Sequence, residues 1–345
     1  MKSVLRSGMA LVTAAVLGAG IFAATNTIAS PGSTAGSVAI AGQGNNGNGN
    51  GKGLGGQPTT ADAVYLDGIK DYGVCRGVDP ACYNDWGQGW TEGETKRILI
   101  YSRTVGPRHA HLGTALAPGL NPPLNPNNVA QAALKAWAEE RGIQVDYTED
   151  VSRMTSLNNY QAVVFLSPTR DTLDDNAQTA LMQFVRRGGG FVGIHNAFGT
   201  EYHWPWYEGL LGGANFYDHA PNRAGTIETI NDDDVSTAGF PATWDFRDEF
   251  YNLVPYPSYV NVLLEVDEAT SLNGRATGHP GHGAEHPVSW CHYYDGGKAF
   301  LTTLGHDVQL WTGDPNGEIA NEELFKQHIV NGLESVMGIQ PFCQA

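Results

Sequence analysis

Basic residues are scarce in this 345-residue chain. Lys and Arg number 20 against 36 Asp and Glu, a formal net charge of −16, and no stretch gathers the cations together. Phosphate recognition needs clustered Lys and Arg, so the composition excludes nucleic acid and anionic lipid as partners. Cysteine is scarce too. There are four, Cys75, Cys82, Cys291 and Cys343, without the C-x2-C pair of a structural zinc site. No internal repeat is present. What remains, with 41% hydrophobic and 16% charged residues and 44 glycines, is a globular composition.

The N-terminus carries the one membrane-directed signal. Lys2 and Arg6 precede an apolar stretch from Met9 to Ala24, and small residues follow. That order predicts a secretory signal peptide over residues 1–29 and an extracellular product with no span in its mature form. A retained anchor is the competing reading, but about 16 residues with interior glycines are short for a span. No cysteine near the cleavage zone offers a lipid attachment point. Residues 30–56 include "AGQGNNGNGNGKGLGG", which cannot bury enough apolar surface to offset chain entropy and is predicted to be a flexible linker. Export meets the cysteines with an oxidising compartment. Of the three possible pairings, Cys75–Cys82 and Cys291–Cys343 are expected, since Gly77 and Pro80 can fold "CRGVDPAC" back on itself. The expected organisation is an extension over 57–95, one core domain over 96–338, and a tail over 339–345.

From Arg97 the pattern becomes regular. "RILIYS", "IQVDYTE", "AVVFLS" and "FVGIH" read as strands, and the stretches between them read as helices. Residues 128–141 have helical apolar spacing and stop at Gly142. In the next helix Asp174 and Asp175 stand at the start and Arg186 and Arg187 at the end, as the helix dipole favours. Apolar strands alternating with helices predict an α/β fold, a parallel sheet with helices on both faces. "YVNVLLEVDE", "PVSWCHYY" and "KAFLTTLGH" are further strands, and residues 319–337 form a closing helix.

Ligands of such sheets bind beyond the carboxyl ends of the strands. Three predicted strand ends carry imidazoles: Arg108, His109 and His111 after the first, His195 after "FVGI", and His306 before Asp307 after "KAFLTTLG". Asp248 and Glu249 lie among aromatic neighbours, where desolvation would suit a carboxyl to acid–base work. Asp218 and His219 follow a run of aromatics. In "GHPGHGAEHPVSW", His279, His282 and His286 have metal-compatible spacing in a glycine-rich loop, with His286 nearest a strand. Tyr202, Trp204, Trp206 and Tyr207 could stack on sugar rings, or could simply pack a short helix begun by Pro205.

"RILIYSRTVGPRH", "VFLSPTRDTLDDNAQTALMQFVRRGGGFVGIHNAF", "EYHWPWYEGLLGGANFYDHAP", "DEFYNL" and "HPVSWCHYYDGGKAFLTTLGH" together resemble the ThuA-like, trehalose-utilisation family over residues 96–338. The resemblance implies a flavodoxin-like sheet similar to that of class I glutamine amidotransferases. In those enzymes the turn after the strand equivalent to "FVGI" bears a nucleophilic cysteine, and a later strand ends in the histidine that activates it. The matching positions here are His195 and His306. No thiol or hydroxyl stands at the turn, so glutamine hydrolysis by that mechanism is excluded. The chain departs from the family in Phe250 of "DEFYNL", where tryptophan is usual, and in "HNAF", where small residues are usual.

The family implies carbohydrate metabolism, of trehalose-like disaccharides through 3-keto-glycosides. The expectation is an exported enzyme with His195, His306, Glu249 and Asp248 as catalytic groups. Arg108, His109, Tyr202, Trp204, Trp206, His219 and His286 are then the expected substrate contacts. His109, His195, His219 and His306, with Glu249 or Asp248, also have the ligand chemistry of a zinc or manganese ion. A non-catalytic carbohydrate-binding or surface module on the same fold is the alternative.

Overall fold

The structure, a computed structural model, describes residues 70–86, 94–271, 279–313 and 320–344. The predicted signal peptide, the Gly/Asn-rich linker and residues 57–69 and 87–93 of the extension lie outside the described residues. Among the described residues, no helix is long and apolar enough to cross a membrane.

Twelve strands form among the described residues: β1 (Arg76–Gly77), β2 (Arg97–Tyr101), β3 (Gln144–Thr148), β4 (Ala162–Leu166), β5 (Gly190–Ile194), β6 (Phe216–His219), β7 (Arg223–Thr229), β8 (Thr243–Asp248), β9 (Tyr251–Leu253), β10 (Asn261–Asp267), β11 (Pro287–Tyr294) and β12 (Gly297–Thr302). The helices are α1 (Val129–Glu140), α2 (Asp175–Arg186), α3 (Pro205–Leu210), α4 (Gln309–Thr312) and α5 (Glu322–Val336). The main sheet runs β3-β2-β4-β5-β12-β11-β10-β7-β8, with β1 added on β11. Strands β3, β2, β4, β5 and β12 are parallel. From β12 outward every pairing is antiparallel.

The change of direction has a local cause. Asp295 and Gly296 join β11 to β12 at φ +47° and +94°. Two central residues with positive φ make the hairpin turn whose twist matches the strands it links. β11 therefore folds back on β12 instead of crossing over through a helix.

The apolar strand runs follow from burial on both sides. In β2, Ile98 and Ile100 join one cluster with Leu134 of α1 and Ile329 of α5. Leu99 and Tyr101 join the other, with Leu181 and Phe184 of α2 and Tyr207 of α3. β4 divides likewise, Val164 to the first cluster and Val163 and Phe165 to the second. The two-residue period of a strand thus supplies two cores, one per sheet face.

The "GGG" before β5 meets two demands. Gly188 ends α2 at φ +97°, and a Cβ on Gly190 would lie 2.9 Å from the backbone oxygen of Val336 at the end of α5. Gly190→Ala should therefore lower the urea midpoint by about 1–3 kcal/mol equivalent at unchanged m-value. An unshifted midpoint would show that α5 yields there at no cost.

Both expected disulfides are present, Cys75–Cys82 with Cα atoms 5.2 Å apart and Cys291–Cys343 at 5.6 Å. No cysteine is left free. Two such bridges indicate a chain that folds where thiols are oxidised.

Candidate active site

Four separate segments deliver side chains to the carboxyl edge of the parallel strands. β2 leads to His109, which opens a single 3-10 turn over Ala110–Leu112. β5 leads straight into His195, which opens a 3-10 turn over His195–Gly199 and is fully buried at φ +52°. Few non-glycine residues adopt that left-handed conformation, and where they do a site often lies nearby. β12 leads to His306, and β8 ends at Asp248 beside Glu249.

One donor atom from each of His109, His195, His306 and Glu249 lies within 4.8 Å of the others. Glu249 Oε2 is 2.9 Å from His306 Nδ1 and 3.9 Å from His195 Nε2. Its Oε1 is 3.6 Å from His219 Nδ1. The His195 ring stands 4.7 Å from that of His109 and 5.4 Å from that of His306, centre to centre.

Hydrogen bonds fix the tautomers. His195 Nδ1 donates to the Thr303 carbonyl at 2.8 Å, so Nε2 keeps its lone pair and accepts from the Tyr251 hydroxyl at 2.9 Å. His111 Nδ1 donates to the His306 carbonyl, and its Nε2 accepts from Ser167 Oγ at 2.9 Å. Burial, then the neighbouring imidazole charge, drives His109 down to about 4 and holds His195 well below the usual imidazole range. Burial also takes His111 down to about 3. It would depress His306 as well, but Glu249 beside it outweighs burial and raises it. Burial would raise Glu249 in turn, and the His306 contact lowers it instead.

Asp248 reaches the cluster but does not face an open space. Its buried carboxylate accepts from the backbone N–H groups of Glu249 at 2.8 Å, Gly305 at 2.7 Å and His306 at 3.2 Å. Burial pushes it up to about 7 against those donors. It pins the β12 exit loop to the end of β8 and so sets where Glu249 and His306 meet.

A cavity of about 440 Å³ adjoins the cluster, walled by His109, Arg170, Asn196, Tyr202, Asp218, His219 and Tyr251. Of the expected substrate contacts, His109, Tyr202 and His219 line it and four others do not. Arg108 is occupied by Glu149 at 2.7 Å and by the Leu112 and Gly113 carbonyls. His286 bonds Glu268 and the Tyr251 carbonyl, bracing Tyr251 from behind. Trp204 stacks on Trp206, whose indole N–H goes to Asp295. These two tryptophans pack the α3 region, away from the cavity. Tyr251 and Asn196 are the functional candidates that sequence reasoning passed over. Tyr251 follows Glu249 by two positions, the spacing that puts both on one side of an extended chain.

Tyr251→Phe removes the hydroxyl at His195 Nε2 and leaves the buried ring in place. If the cluster is catalytic, kcat should fall about tenfold or more with KM little changed. Equal activity in both proteins would remove Tyr251 from the site.

The comparisons bear on what this arrangement belongs to. The sequence pattern of the ThuA family, described as trehalose utilisation, matches residues 97–334. A ThuA-like protein from Bacteroides uniformis ATCC 8492 superposes with a TM-score of 0.54 at 21% identity, covering 72% of this chain and 94% of that one. Another, from Parabacteroides merdae ATCC 43184, gives 0.52 at 18%, covering 73% and 92%. At such identities the likeness speaks for the fold. No curated protein matches the chain in sequence. The family match spans the parallel strands, the turn at His195 and the loop at His306, and the chain belongs to the ThuA family.

Proposed function

We propose that the protein is an exported carbohydrate-active enzyme that acts on a glycoside or 3-keto-glycoside of the trehalose type. The observation that carries this reading is the convergence of three imidazoles and a carboxylate beside a cavity in the size range of small-ligand pockets. The cavity wall suits a sugar. Arg170, Asn196 and Asp218 offer partners for hydroxyl groups, and Tyr202, Phe216 and Tyr251 offer rings for C–H faces. The two disulfides agree with action outside the cytoplasm.

A ketone at C3 makes the neighbouring C2–H acidic, which suits this set of groups. His219 Nδ1 donates to the Ala220 carbonyl at 2.6 Å, leaving a lone pair on Nε2 at the cavity wall. In the proposed reaction that nitrogen takes the C2 proton and the electron pair moves onto the C3 oxygen, polarised by the cluster. The C1–O bond then breaks, the departing sugar oxygen takes up a proton, and water adds across C1=C2. The sum is hydrolysis to two monosaccharides.

The test is incubation of purified protein with 3-keto-trehalose and with trehalose, alongside calorimetry on the same sugars. Release of monosaccharide from the keto sugar is expected. Binding without turnover would make the chain a carbohydrate-binding module, and neither binding nor turnover would overturn the reading.

A further inference from the structure

We infer that His109, His195, His306 and Glu249 form a mononuclear site for a divalent transition metal of the zinc type. The inference deepens the proposed function and rests on its reading of the cavity as the place of reaction.

The donor set comes first. Three imidazole nitrogens and one carboxylate oxygen, from four segments far apart in sequence, lie within 4.8 Å of one another. Around a tetrahedral zinc with bonds of about 2.1 Å, donor atoms stand roughly 3.4 Å apart. Small side-chain rotations close that gap. The set excludes calcium and magnesium, which take mostly or wholly oxygen ligands. It contains no thiolate, so it is no site for a soft metal either.

Unmet bonding potential comes second. His109 Nδ1 is buried without a hydrogen-bond partner among the described residues. His306 Nδ1 lies 2.9 Å from Glu249 Oε2, the charge partner that it shares with the rest of the cluster. Buried polar atoms are almost always paired. One unpartnered imidazole nitrogen, beside a second that already shares the Glu249 carboxylate, is what a cation held in common would satisfy.

The outer ring of contacts comes third. A ligating histidine typically gives its other N–H to a carbonyl or carboxylate, which fixes the ring and frees the donor nitrogen. His195 does this through Thr303, and when its Nε2 ligates, the Tyr251 hydroxyl now 2.9 Å from that nitrogen would turn to Asn196 Oδ1, 3.4 Å away. Asp248 holds the backbone of both His306 and Glu249, and His111, anchored on Ser167, holds the His306 carbonyl. Three of the four ligands are thus positioned from outside.

His219 stays out of the set. It faces the other oxygen of Glu249 at 3.6 Å and spends its Nδ1–H on Ala220. The group expected from sequence, four histidines with Glu249 or Asp248, therefore loses His219 and keeps Glu249 as its carboxylate. With four protein ligands in place, the shell would have to expand to five before the cation could act as a Lewis acid on a sugar oxygen reaching in from the cavity.

The test uses protein stripped by chelator dialysis and titrated with Zn2+, Mg2+ and Co2+ by calorimetry, with visible spectra of the cobalt form. One zinc per chain, no heat from magnesium and the spectrum of four-coordinate cobalt are expected. Glu249→Gln and His195→Asn should each weaken zinc at least 100-fold with unchanged circular dichroism. His282→Ala, in the other histidine-rich loop, should leave affinity as it is. No stoichiometric zinc, a preference for magnesium, or loss of zinc in His282→Ala but not in Glu249→Gln would each overturn the assignment. If no zinc binds and the stripped protein still cleaves 3-keto-trehalose, the metal inference falls and the proposed function stands. Should zinc bind one to one without any sugar turnover, the metal site stands and the carbohydrate reading falls.

Discussion

Replacing His195 with asparagine should lower turnover of a 3-keto-glycoside by about 10³-fold, within the range that positioned acid–base or electrophilic groups contribute. Asparagine is the informative choice because the residue sits at φ +52°. Asn tolerates the left-handed region better than other side chains, so the turn after β5 survives and only the imidazole is lost. His195→Ala would mix a catalytic loss with backbone strain. The variant also gives up the hydrogen bonds to Thr303 and Tyr251, so its melting temperature should fall by only a few degrees. Undiminished turnover in a folded His195→Asn protein would remove the cluster from the reaction.

The second large effect is on stability. Cys291 lies in β11, between β10 and β12, and its bridge to Cys343 spans 52 positions. By chain entropy, a loop of that length restricts the unfolded state by about 4 kcal/mol, whereas the Cys75–Cys82 loop contributes about 2. The double variant Cys291→Ala/Cys343→Ala should therefore melt roughly 10 °C lower than the parent. Cys75→Ala/Cys82→Ala should lose about half as much. Thermal scans of the two double variants compare them directly, and equal losses would show that native contacts, not loop length, set the values.

How far the sequence reaches can be seen strand by strand. β2, β4 and β5 are legible because burial on both faces leaves no charged position inside the run, Arg97 at the mouth of β2 being the one charged residue of the three. The antiparallel half is harder to read. β8 alternates, with Trp244, Phe246 and Asp248 inward, and an aspartate on the buried side looks from sequence like the end of the pattern. Two of its three partners are the backbone N–H groups of residues 305 and 306, which no local spacing reveals. The strand-end histidines could be read because the carboxyl edge of a parallel sheet is where such side chains can meet. Tyr251 could not, since its importance depends on which nitrogen of His195 is already committed to Thr303. Trp204 and Trp206 misled for the opposite reason: residue type shows what a side chain could stack on, while the course of α3 decides what it meets.

The bridge from Cys291 to Cys343 has a mechanical side. His306, α4 and α5 all lie inside the covalent ring it closes. Tension applied at the C-terminus of the oxidised chain would pass through sulfur straight into β11, and the enclosed loop would carry none of it. About 180 Å of extended chain would stay hidden from the pull. Reduced, the same pull would strip α5 first and then β12, dragging His306 away from Glu249 while β2, β4 and β5 still held together.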